Sequence, residues 1–244
     1  MIKFFRRIRK NLIATGKAKN YFLYAIGEII LVVIGILIAL QINNWNEYRK
    51  DRTLEKEYLI RLKEDISFDI YFINRNMIGR YERKMKGLEK GKAYFQGTYV
   101  IQDTLQFLND VGYGGVFGHV DWSLSKKTYN EIISTGNLRK IENKKLRNMI
   151  NDYYESVNGY SKSSKNYISG YVKFINSKKA FNTNNAEKIS DFDKTYLLKH
   201  LKTEEFLSLV NLEMTLGYRV YDWASNAIQD AENVLIQIDQ ELED

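Results

Sequence analysis

The chain contains no cysteine and no proline among its 244 residues. Without cysteine it can form no disulfide, no zinc–thiolate site and no cysteine nucleophile. Proline interrupts the interior of a helix, because it removes a backbone hydrogen bond and its ring clashes with the preceding turn. A chain of average composition and this length would contain about a dozen prolines. Their absence is therefore typical of a protein built from long, uninterrupted helices.

Histidine is almost as scarce, with His119 and His200 alone. His119 and Asp121 form an H-x-D pair, but a metal site needs three or four ligands and no other ligand cluster accompanies this pair. His200 stands in a charged segment, where we expect a solvated or capping position. The glycine-rich "GYGGVFG" lacks the lysine and hydroxyl residue that hold phosphate and metal. The sequence thus predicts no metal, no cofactor and no enzymatic activity, with an enzyme of unrecognised site as an alternative.

The net charge of +7 is unevenly distributed along the chain. Residues 1–42 contain seven basic residues and one acid, Glu28, so that this segment carries +6 and the remainder only +1. A nucleic-acid-binding protein needs its basic patch on the surface that reads the nucleic acid. Here the basic residues form a leader ahead of an apolar run instead. We therefore expect no nucleic-acid partner.

The apolar run "YAIGEIILVVIGILIALQINNW", from Tyr24 to Trp45, predicts a membrane-spanning helix. At 1.5 Å per residue it is roughly 31 Å long, close to the ~30 Å hydrocarbon core of a bilayer. Tyr21 and Tyr24 at one end and Trp45 at the other are predicted anchors at the two interfaces. A cleaved signal peptide would have a shorter apolar region and a small-x-small cleavage site, which "ALQINNW" does not offer. We predict a retained transmembrane helix over residues 21–42.

Basic residues on the flanks of this run predict its orientation. Lysine and arginine dominate residues 1–20, whereas the segment after the run mixes both signs. By the positive-inside rule the N-terminus is cytoplasmic and residues 43–244 form a domain outside the cytoplasm. The leader itself has two interpretations, a topology signal or an amphipathic helix at the lipid headgroups. Since it is only about 20 residues long, it is too short for a cytoplasmic output domain.

Glu28 is the single acid inside the predicted span. A carboxylate at the centre of a bilayer is costly, but one turn inside the interface it can snorkel to water or meet a cation. Gly27, Gly35 and Ala39 are small residues that would allow a second helix to approach closely. Two interpretations therefore remain open: Glu28 snorkels, or it contacts another membrane helix, which is either a second copy or a partner protein.

Two blocks of the sequence resemble a known family. The segment "YAIGEIILVVIGILIALQINNWNE" is similar to the N-terminal signature of an uncharacterised family of bacterial single-span membrane proteins. The segment from Thr128 to Tyr154, "TYNEIISTGNLRKIENKKLRNMINDYY", is similar to the second recurring block of that family. The resemblance implies an envelope protein of Gram-negative bacteria that carries a domain of unknown function. Together with the orientation above, it implies an inner-membrane protein whose residues 43–244 are periplasmic. It implies no catalytic residues.

The region after the span predicts an all-α domain with three long and two short helices. The long helices run from about Asn46 to the segment around Gly91, over 143–175 and over 203–242, and the short ones over 104–111 and 123–134. Apolar residues of the first long helix, from Leu59 through Ile70 to Leu88, recur at a mean spacing of about 3.6. Nothing between Ile42 and Leu54 demands a break from the apolar run, and Gly79, Gly87 and Gly91 are expected to weaken the far end of the helix. Gly136 and Asn137 predict a left-handed C-terminal cap. A short strand over Tyr94 to Thr104 is the alternative to helix or loop. The predicted fold is a single N-terminal transmembrane helix followed by an antiparallel long-helix bundle.

The two last long helices have complementary seven-residue repeats. The helix over 143–175 has large residues in its repeat, among them Tyr153, Tyr160 and Tyr167. The last helix has a seam of small residues at Gly217, Ala224 and Ala231. Since cores interdigitate large against small side chains, the tyrosine stripe is predicted to pack on this seam. These tyrosines and Glu213 either belong to the core or line a ligand cavity within the bundle.

Taken together, the sequence predicts a membrane-anchored, non-enzymatic extracytoplasmic helical module for interaction or sensing. Its expected partners are the lipid bilayer and another membrane helix. An envelope scaffold or coiled-coil oligomer is the alternative, in which the long first helix and the small residues of the span mediate assembly.

Overall fold

A computed structural model describes residues 18–116, 122, 124–165, 169–181 and 188–243. Its regular structure is entirely helical over these ranges, which confirms the all-α fold class. The α-helices in chain order are α1 Ala18–Phe72, α2 Gly79–Gln96, α3 Thr104–Val116, α4 Lys127–Ser134, α5 Lys144–Lys165, α6 Gly170–Lys178, α7 Asp191–His200 and α8 Glu204–Glu243. A π-helical segment, Ile73–Ile78, joins α1 to α2, and a 3₁₀ helix, Asn137–Lys140, follows α4.

The chain divides into two compact units, Met1–Glu55 and Lys56–Asp244. In the first unit, α1 contains one apolar segment, which is long and apolar enough to cross a membrane and of which nothing is buried. Large side chains on every side of the helix are exposed, as Ile29, Leu31 and Leu37 illustrate. A helix that is apolar all round needs an apolar environment on all sides.

The second unit has a core of its own. One core cluster combines buried side chains from α2, α3, α6, α8 and the end of α7: Leu88, Phe107, Leu108, Val111, Tyr171, Phe174, Ile175, Leu197, Leu201, Phe206 and Val210. The helix α2 packs closely on α3 at Gly87. A Cβ atom at this position would overlap the backbone carbonyl of Asp110. This glycine was expected to weaken the end of the helix. The structure shows that it allows the close approach of α3 instead.

Several predicted helix boundaries are confirmed. The first long helix continues directly from the apolar segment, and α8 agrees with the predicted last helix to within a residue at each end. Gly136 has a φ of 69° after α4, so the predicted left-handed cap is present. Asn137 is not part of it but begins the 3₁₀ helix.

The predicted continuous helix over 143–175 is wrong, because the chain ends α5 at Lys165 and starts α6 at Gly170. Ser169 causes the new start: its hydroxyl accepts a hydrogen bond from the backbone N–H of Val172 at 3.0 Å. This is an N-cap contact, which satisfies a backbone donor that a helix start leaves unpaired. A seven-residue repeat of large residues crosses this break, and periodicity therefore did not reveal it.

Other boundaries also differ from those predicted. The helix α3 extends beyond residue 111 to Val116, and α4 begins at Lys127 rather than near 123. The alternative of a strand at Tyr94–Thr104 is wrong, since α2 continues to Gln96 and residues 97–103 are irregular. The predictions omitted α7, although Ser190 marks its start by accepting a hydrogen bond from the Asp193 N–H at 3.0 Å. Serine followed three residues later by an acid is a recognisable helix start.

Candidate functional site

The predicted membrane contact residues lie on the exposed apolar segment of α1. Successive residues of a helix are about 100° apart, so Glu28, Gly35 and Ala39 fall within about 40° of one another. Gly27 lies about 80° away from Gly35 by the same geometry. Gly35 and Ala39 are exposed, and apart from the adjoining residues and backbone of the helix itself, no atom lies within 4 Å of the position that a Cβ would take at Gly27 or Gly35. The helix thus presents one open face of small residues that also contains the carboxylate.

The predicted interface anchors occupy the two ends of this segment. Trp45 is 62% exposed, and the Arg49 guanidinium carbon lies 5.5 Å from its ring centroid. A cation over an indole face is a favourable contact, and both groups are typical of the membrane–water boundary. Tyr21 and Tyr24 lie on α1, but their side chains fall outside the part of the chain that the structure describes.

The predicted tyrosine stripe reaches different partners along its length. The buried Tyr153 hydroxyl donates a hydrogen bond to Asp69 Oδ2 at 2.9 Å. The ring of Tyr160 stacks on Trp223 of α8, with centroids 5.6 Å apart and planes 15° apart. Tyr160 therefore contacts the last helix, as predicted, but its stacking partner is Trp223, which is not one of the small residues of the seam. Tyr167 lies outside the described residues.

The small-residue seam of α8 faces more than one neighbour. At Gly217, a Cβ atom would overlap the sulfur of Met85, so that this end of the seam packs against α2. Ala224 and Ala231 are completely buried, and α8 also packs against α5. The predicted packing of the tyrosine stripe on this seam is therefore wrong at Gly217, where the large side chain is a methionine of α2.

Glu213 forms a buried polar contact that joins three helices. It pairs with the Lys84 ammonium of α2, and both side chains are buried, with 1% and 3% exposed. Its second carboxylate oxygen accepts a hydrogen bond from the Ser169 hydroxyl at 2.6 Å, at the start of α6. A buried ion pair of this kind adds little net stability, but loss of one partner leaves an unpaired buried charge. Glu213 thus links α8 to α2 and α6.

Sequence reasoning missed a second polar centre, formed by Asp65 and Asp69 of α1. Asp69 accepts a hydrogen bond from the Ser125 N–H at 2.6 Å, and Asp65 accepts one from the Ser125 hydroxyl at 2.6 Å. Asp65 also accepts the Thr128 N–H at 3.1 Å, in the first turn of α4. Negative charge is favourable at the N-terminus of a helix, where backbone donors are unpaired. The two aspartates therefore fix the start of α4 on α1.

Asp69 is completely buried, and burial raises the pKa of its carboxyl to about 6. The hydrogen bonds from Ser125 and Tyr153 oppose this rise, since they stabilise the ionised form. The spacing of the apolar residues on α1 could have identified Asp69 as buried. Leu62, Ile66 and Ile73 are buried, and the alternating spacing of four and three places Asp69 on that face rather than Ile70. The prediction used the mean spacing of 3.6 and therefore placed Ile70 on the apolar face, but Ile70 is only half-buried.

Aromatic side chains extend this polar centre. Tyr154 stacks on Tyr129 with centroids 4.2 Å apart, and Trp122 packs on Tyr160 at 5.3 Å. The Tyr154 hydroxyl and the Trp122 Nε1 are buried without a hydrogen-bond partner in the described part of the chain. Burial raises the pKa of Tyr154, so that the phenol stays neutral.

Metal-binding groups are not clustered in the described part of the chain. Those residues include no group of three or more His, Asp or Glu side chains that could hold a metal ion. His200 ends α7, with its Nδ1 2.8 Å from the Tyr196 carbonyl oxygen and its ring against the Tyr196 ring. His119 and Asp121, the H-x-D pair, lie outside the described residues.

A surface cleft lies between α2 and α8 in the second unit, with a volume of about 460 Å³. Met85, Gly217 and Tyr221 are among the residues that line it. The predicted cavity residues Tyr153, Tyr160 and Glu213 do not line this cleft. This cleft thus lies on the surface of the bundle, and neither Lys84 nor Glu213 lines it.

Comparison with known proteins gives one match. Residues 28–205 match the model of a family described as "Family of unknown function (DUF6090)". The matched range begins at Glu28 and includes Asp65, Asp69 and Lys84, and it ends at the start of α8. No curated protein and no solved structure matches the chain. Because the family model covers well over half of its length, the chain belongs to this family of unknown function.

Proposed function

We propose that residues 21–42 anchor this protein in the inner membrane as a single-pass helix. One observation carries the proposal: the apolar segment of α1 is exposed on every side, whereas the second unit buries its own core. Each large apolar side chain moved out of water contributes about 1.5–3 kcal/mol. With more than a dozen such side chains in one segment, water is a very unfavourable environment for it. A bilayer supplies the missing apolar surroundings.

In this proposal the N-terminus is cytoplasmic and the helical unit is periplasmic. The excess of lysine and arginine before the apolar segment supports this orientation. The helical unit then acts as a non-enzymatic module for interaction or sensing. A signal from it would pass through the membrane helix to another protein.

The face formed by Glu28, Gly35 and Ala39 is the proposed contact with a second membrane helix. Small residues let two backbones approach closely, and a carboxylate near the end of the span can hydrogen-bond across the contact. If the second helix belongs to another copy of the chain, the protein is an envelope scaffold or oligomer. If it belongs to another protein, that protein is the partner in signalling.

The orientation can be tested with single cysteines, because the natural chain has none. Spheroplasts expressing Lys10→Cys or Gln96→Cys are treated with a membrane-impermeant maleimide, and Gln96 is exposed on α2. We expect labelling of Gln96→Cys in intact spheroplasts and labelling of Lys10→Cys only after detergent lysis. The unsubstituted chain is the control for background. Labelling of Lys10→Cys alone in intact spheroplasts would reverse the orientation, and release of the chain by carbonate would refute the anchor.

The helix contact can be tested with a matched pair of cysteines on opposite faces. Ala39→Cys lies on the Glu28 face, whereas Leu37→Cys lies about 180° from Glu28. Oxidation in native membranes should cross-link Ala39→Cys into a dimer if the contact is with a second copy, and Leu37→Cys should remain monomeric. A bifunctional maleimide applied to Ala39→Cys should capture a different protein if the partner is not a copy. Equal cross-linking from both positions, or from neither, would contradict the proposal that the Glu28 face contacts a second helix.

A further inference from the structure

The cleft between α2 and α8 has an apolar floor. Residues 81, 82, 85, 86 and 89 of α2 line one side and residues 217, 218 and 221 of α8 the other, each set on one helix face. Tyr81 is 6% exposed, Gly217 is buried and Met85 is half-buried, so these three residues form the bottom. Clefts of roughly 300–1,000 Å³ are the usual size of small-molecule sites, and about 460 Å³ falls within that range.

Gly217 determines the depth of this cleft. A Cβ atom at this position would overlap the Met85 sulfur. Because Gly217 has no side chain, the Met85 side chain can pack against α8 instead of projecting into the cleft. Met85 has a flexible, polarizable side chain that adapts to a ligand more readily than a branched one. The floor is thus both open and adaptable.

Two aromatic side chains of α8 form one wall of the cleft. Tyr218 is 56% exposed and Tyr221 is 42% exposed, on adjacent positions of the same helix face. Large aromatic rings that remain exposed in a folded unit are available for contact with a ligand. Their faces carry partial negative charge, which attracts a cation placed over the ring.

Charged side chains of α2 form the rim on the other side. Glu82, Lys86 and Glu89 line the cleft and are exposed. Two carboxylates against one ammonium give this rim a net negative charge. An anionic ligand would be repelled there, and a neutral one would gain nothing from the rim. A cation would be attracted by both the rim and the aromatic wall.

We propose that this cleft binds a small organic cation, with a substituted ammonium group and an apolar body. The ammonium group lies between the Tyr218 and Tyr221 rings and the Glu82 and Glu89 carboxylates. The apolar body lies on Met85. This site is independent of the membrane anchor proposed above, since all of its residues belong to the second unit. Failure of the anchor and failure of the cleft would therefore be seen in separate experiments.

The test uses choline and its neutral isostere 3,3-dimethylbutan-1-ol as probes. The two molecules have the same shape and differ in the charge of the central atom. The full chain is labelled with ¹³C-methyl methionine, kept in maltoside micelles and titrated with each probe. The chain contains five methionines, and the Met85 signal is assigned by its loss in Met85→Leu. We expect a saturable shift of the Met85 methyl signal with choline in the millimolar range, and at least fivefold weaker binding of the alcohol.

Variants of the wall and rim sharpen the test. Tyr221→Leu and the double variant Glu82→Gln, Glu89→Gln should each weaken choline binding at least threefold. Tyr196→Leu is the matched control, because Tyr196 is 39% exposed but lies on α7 outside the cleft. Circular dichroism confirms that each variant is folded. Since all these side chains are at the surface, we expect little effect on stability.

Three results would overturn the proposal. The first is no saturable shift of the Met85 signal up to about 100 mM choline, well above the range of specific weak binding. The second is equal binding of choline and the alcohol, which would show an apolar cleft without selection for charge. The third is an equal loss of binding in Tyr196→Leu and Tyr221→Leu. Gly217→Ala is a further check, since it should push Met85 into the cleft and weaken both probes alike.

Discussion

The apolar segment of α1 and the helix α8 are both long and rich in apolar residues, yet they meet opposite environments. Helix α8 buries one stripe: Phe206, Val210, Gly217, Val220, Ala224, Ala227, Ala231, Val234 and Ile238. Its other faces are largely polar, with single exposed residues such as Leu212. The segment of α1 exposes apolar side chains all round. A stripe needs one neighbouring protein surface, whereas an all-round apolar helix needs an apolar solvent.

The same difference applies to the acid in each helix. Glu213 of α8 is buried and paired with Lys84 and Ser169 within the unit. Glu28 lies beside exposed small residues, on a segment with no protein core around it. The fold therefore supplies the buried partners of Glu213. In the proposed membrane span, by contrast, Glu28 lies on the face that we propose as the contact with a second helix.

The largest expected effect comes from charges on the apolar segment. Two arginines at the centre of a span cost about 5–7 kcal/mol for insertion. Leu31→Arg combined with Leu37→Arg should therefore remove most of the protein from the carbonate-resistant membrane fraction. The matched control is Leu212→Arg with Ile236→Arg, which changes exposed residues of α8. Surface changes cost within about 0.5 kcal/mol each, so the control should stay in the membrane. Full membrane retention of the Leu31→Arg, Leu37→Arg variant would refute the proposal that this segment spans the membrane.

Loss of one partner from the buried ion pair should have the next largest effect. Glu213→Leu leaves the Lys84 ammonium buried without its acid, and we expect a loss of about 3–5 kcal/mol in the free energy of unfolding. Urea unfolding of the full chain in maltoside micelles, followed by circular dichroism, measures this change. The double variant Lys84→Met, Glu213→Leu should recover most of it. A double variant no more stable than Glu213→Leu would show that packing, rather than an unpaired charge, causes the loss.

Replacing a small residue with a large one should destabilise α8 but not the apolar segment of α1. Ala224 is completely buried in α8, and Ala39 is exposed on α1. Ala224→Leu overpacks the core and should lower the free energy of unfolding by about 1–3 kcal/mol. Ala39→Leu should change it by less than about 0.5 kcal/mol. Both values come from the same urea unfolding measurement. Equal losses would mean that Ala39 is packed against protein in the folded chain.

The smallest expected effect is the pH dependence from Asp69. Its pKa is about 6 in the folded chain and has an ordinary value of 3.8. The folded state therefore holds the proton more tightly, and its contribution to stability is fully present below about pH 4. This contribution is lost as the pH rises toward about 6. One pKa unit corresponds to about 1.4 kcal/mol, and part of the change falls below pH 4, so that about 2 kcal/mol is lost between pH 4 and 7.

The measurement compares the melting temperature of the natural chain and of Asp69→Asn between pH 4 and 7. The difference between the two isolates Asp69, because all other ionisable groups are the same in both. We expect the natural chain to lose stability relative to Asp69→Asn as the pH rises through this window. Parallel curves would show that Asp69 ionises in the folded chain as it does in the unfolded one.

Particular residues show how far sequence reasoning reached. The repeat in α8 predicted its bounds and the burial of Gly217, Ala224 and Ala231, because a long amphipathic period leaves one consistent face. Gly136 predicted a left-handed cap, since that conformation is favourable for glycine. The break before Ser169 was missed, because the repeat of large residues continues across it. The role of Asp69 was missed as well, since an average period of 3.6 cannot distinguish positions 69 and 70.

Of the candidate sites, only the one on the apolar helix could be predicted from the sequence. Glu28, Gly35 and Ala39 could be grouped from the sequence, because one regular helix fixes their relative angles. The lining of the cleft could not, since its two sides are more than 120 residues apart in the chain. The partners of Glu213 and Asp69 come from distant segments for the same reason.

By itself, the sequence determined the all-α class, the apolar helix and the uneven placement of charge. These properties depend on composition and on short periods, which act over a few turns of one helix. The tertiary structure decided which acids are buried, which partners they have and where the open cleft lies. Those features depend on how helices pack against each other, and packing is set by contacts between residues far apart in the chain.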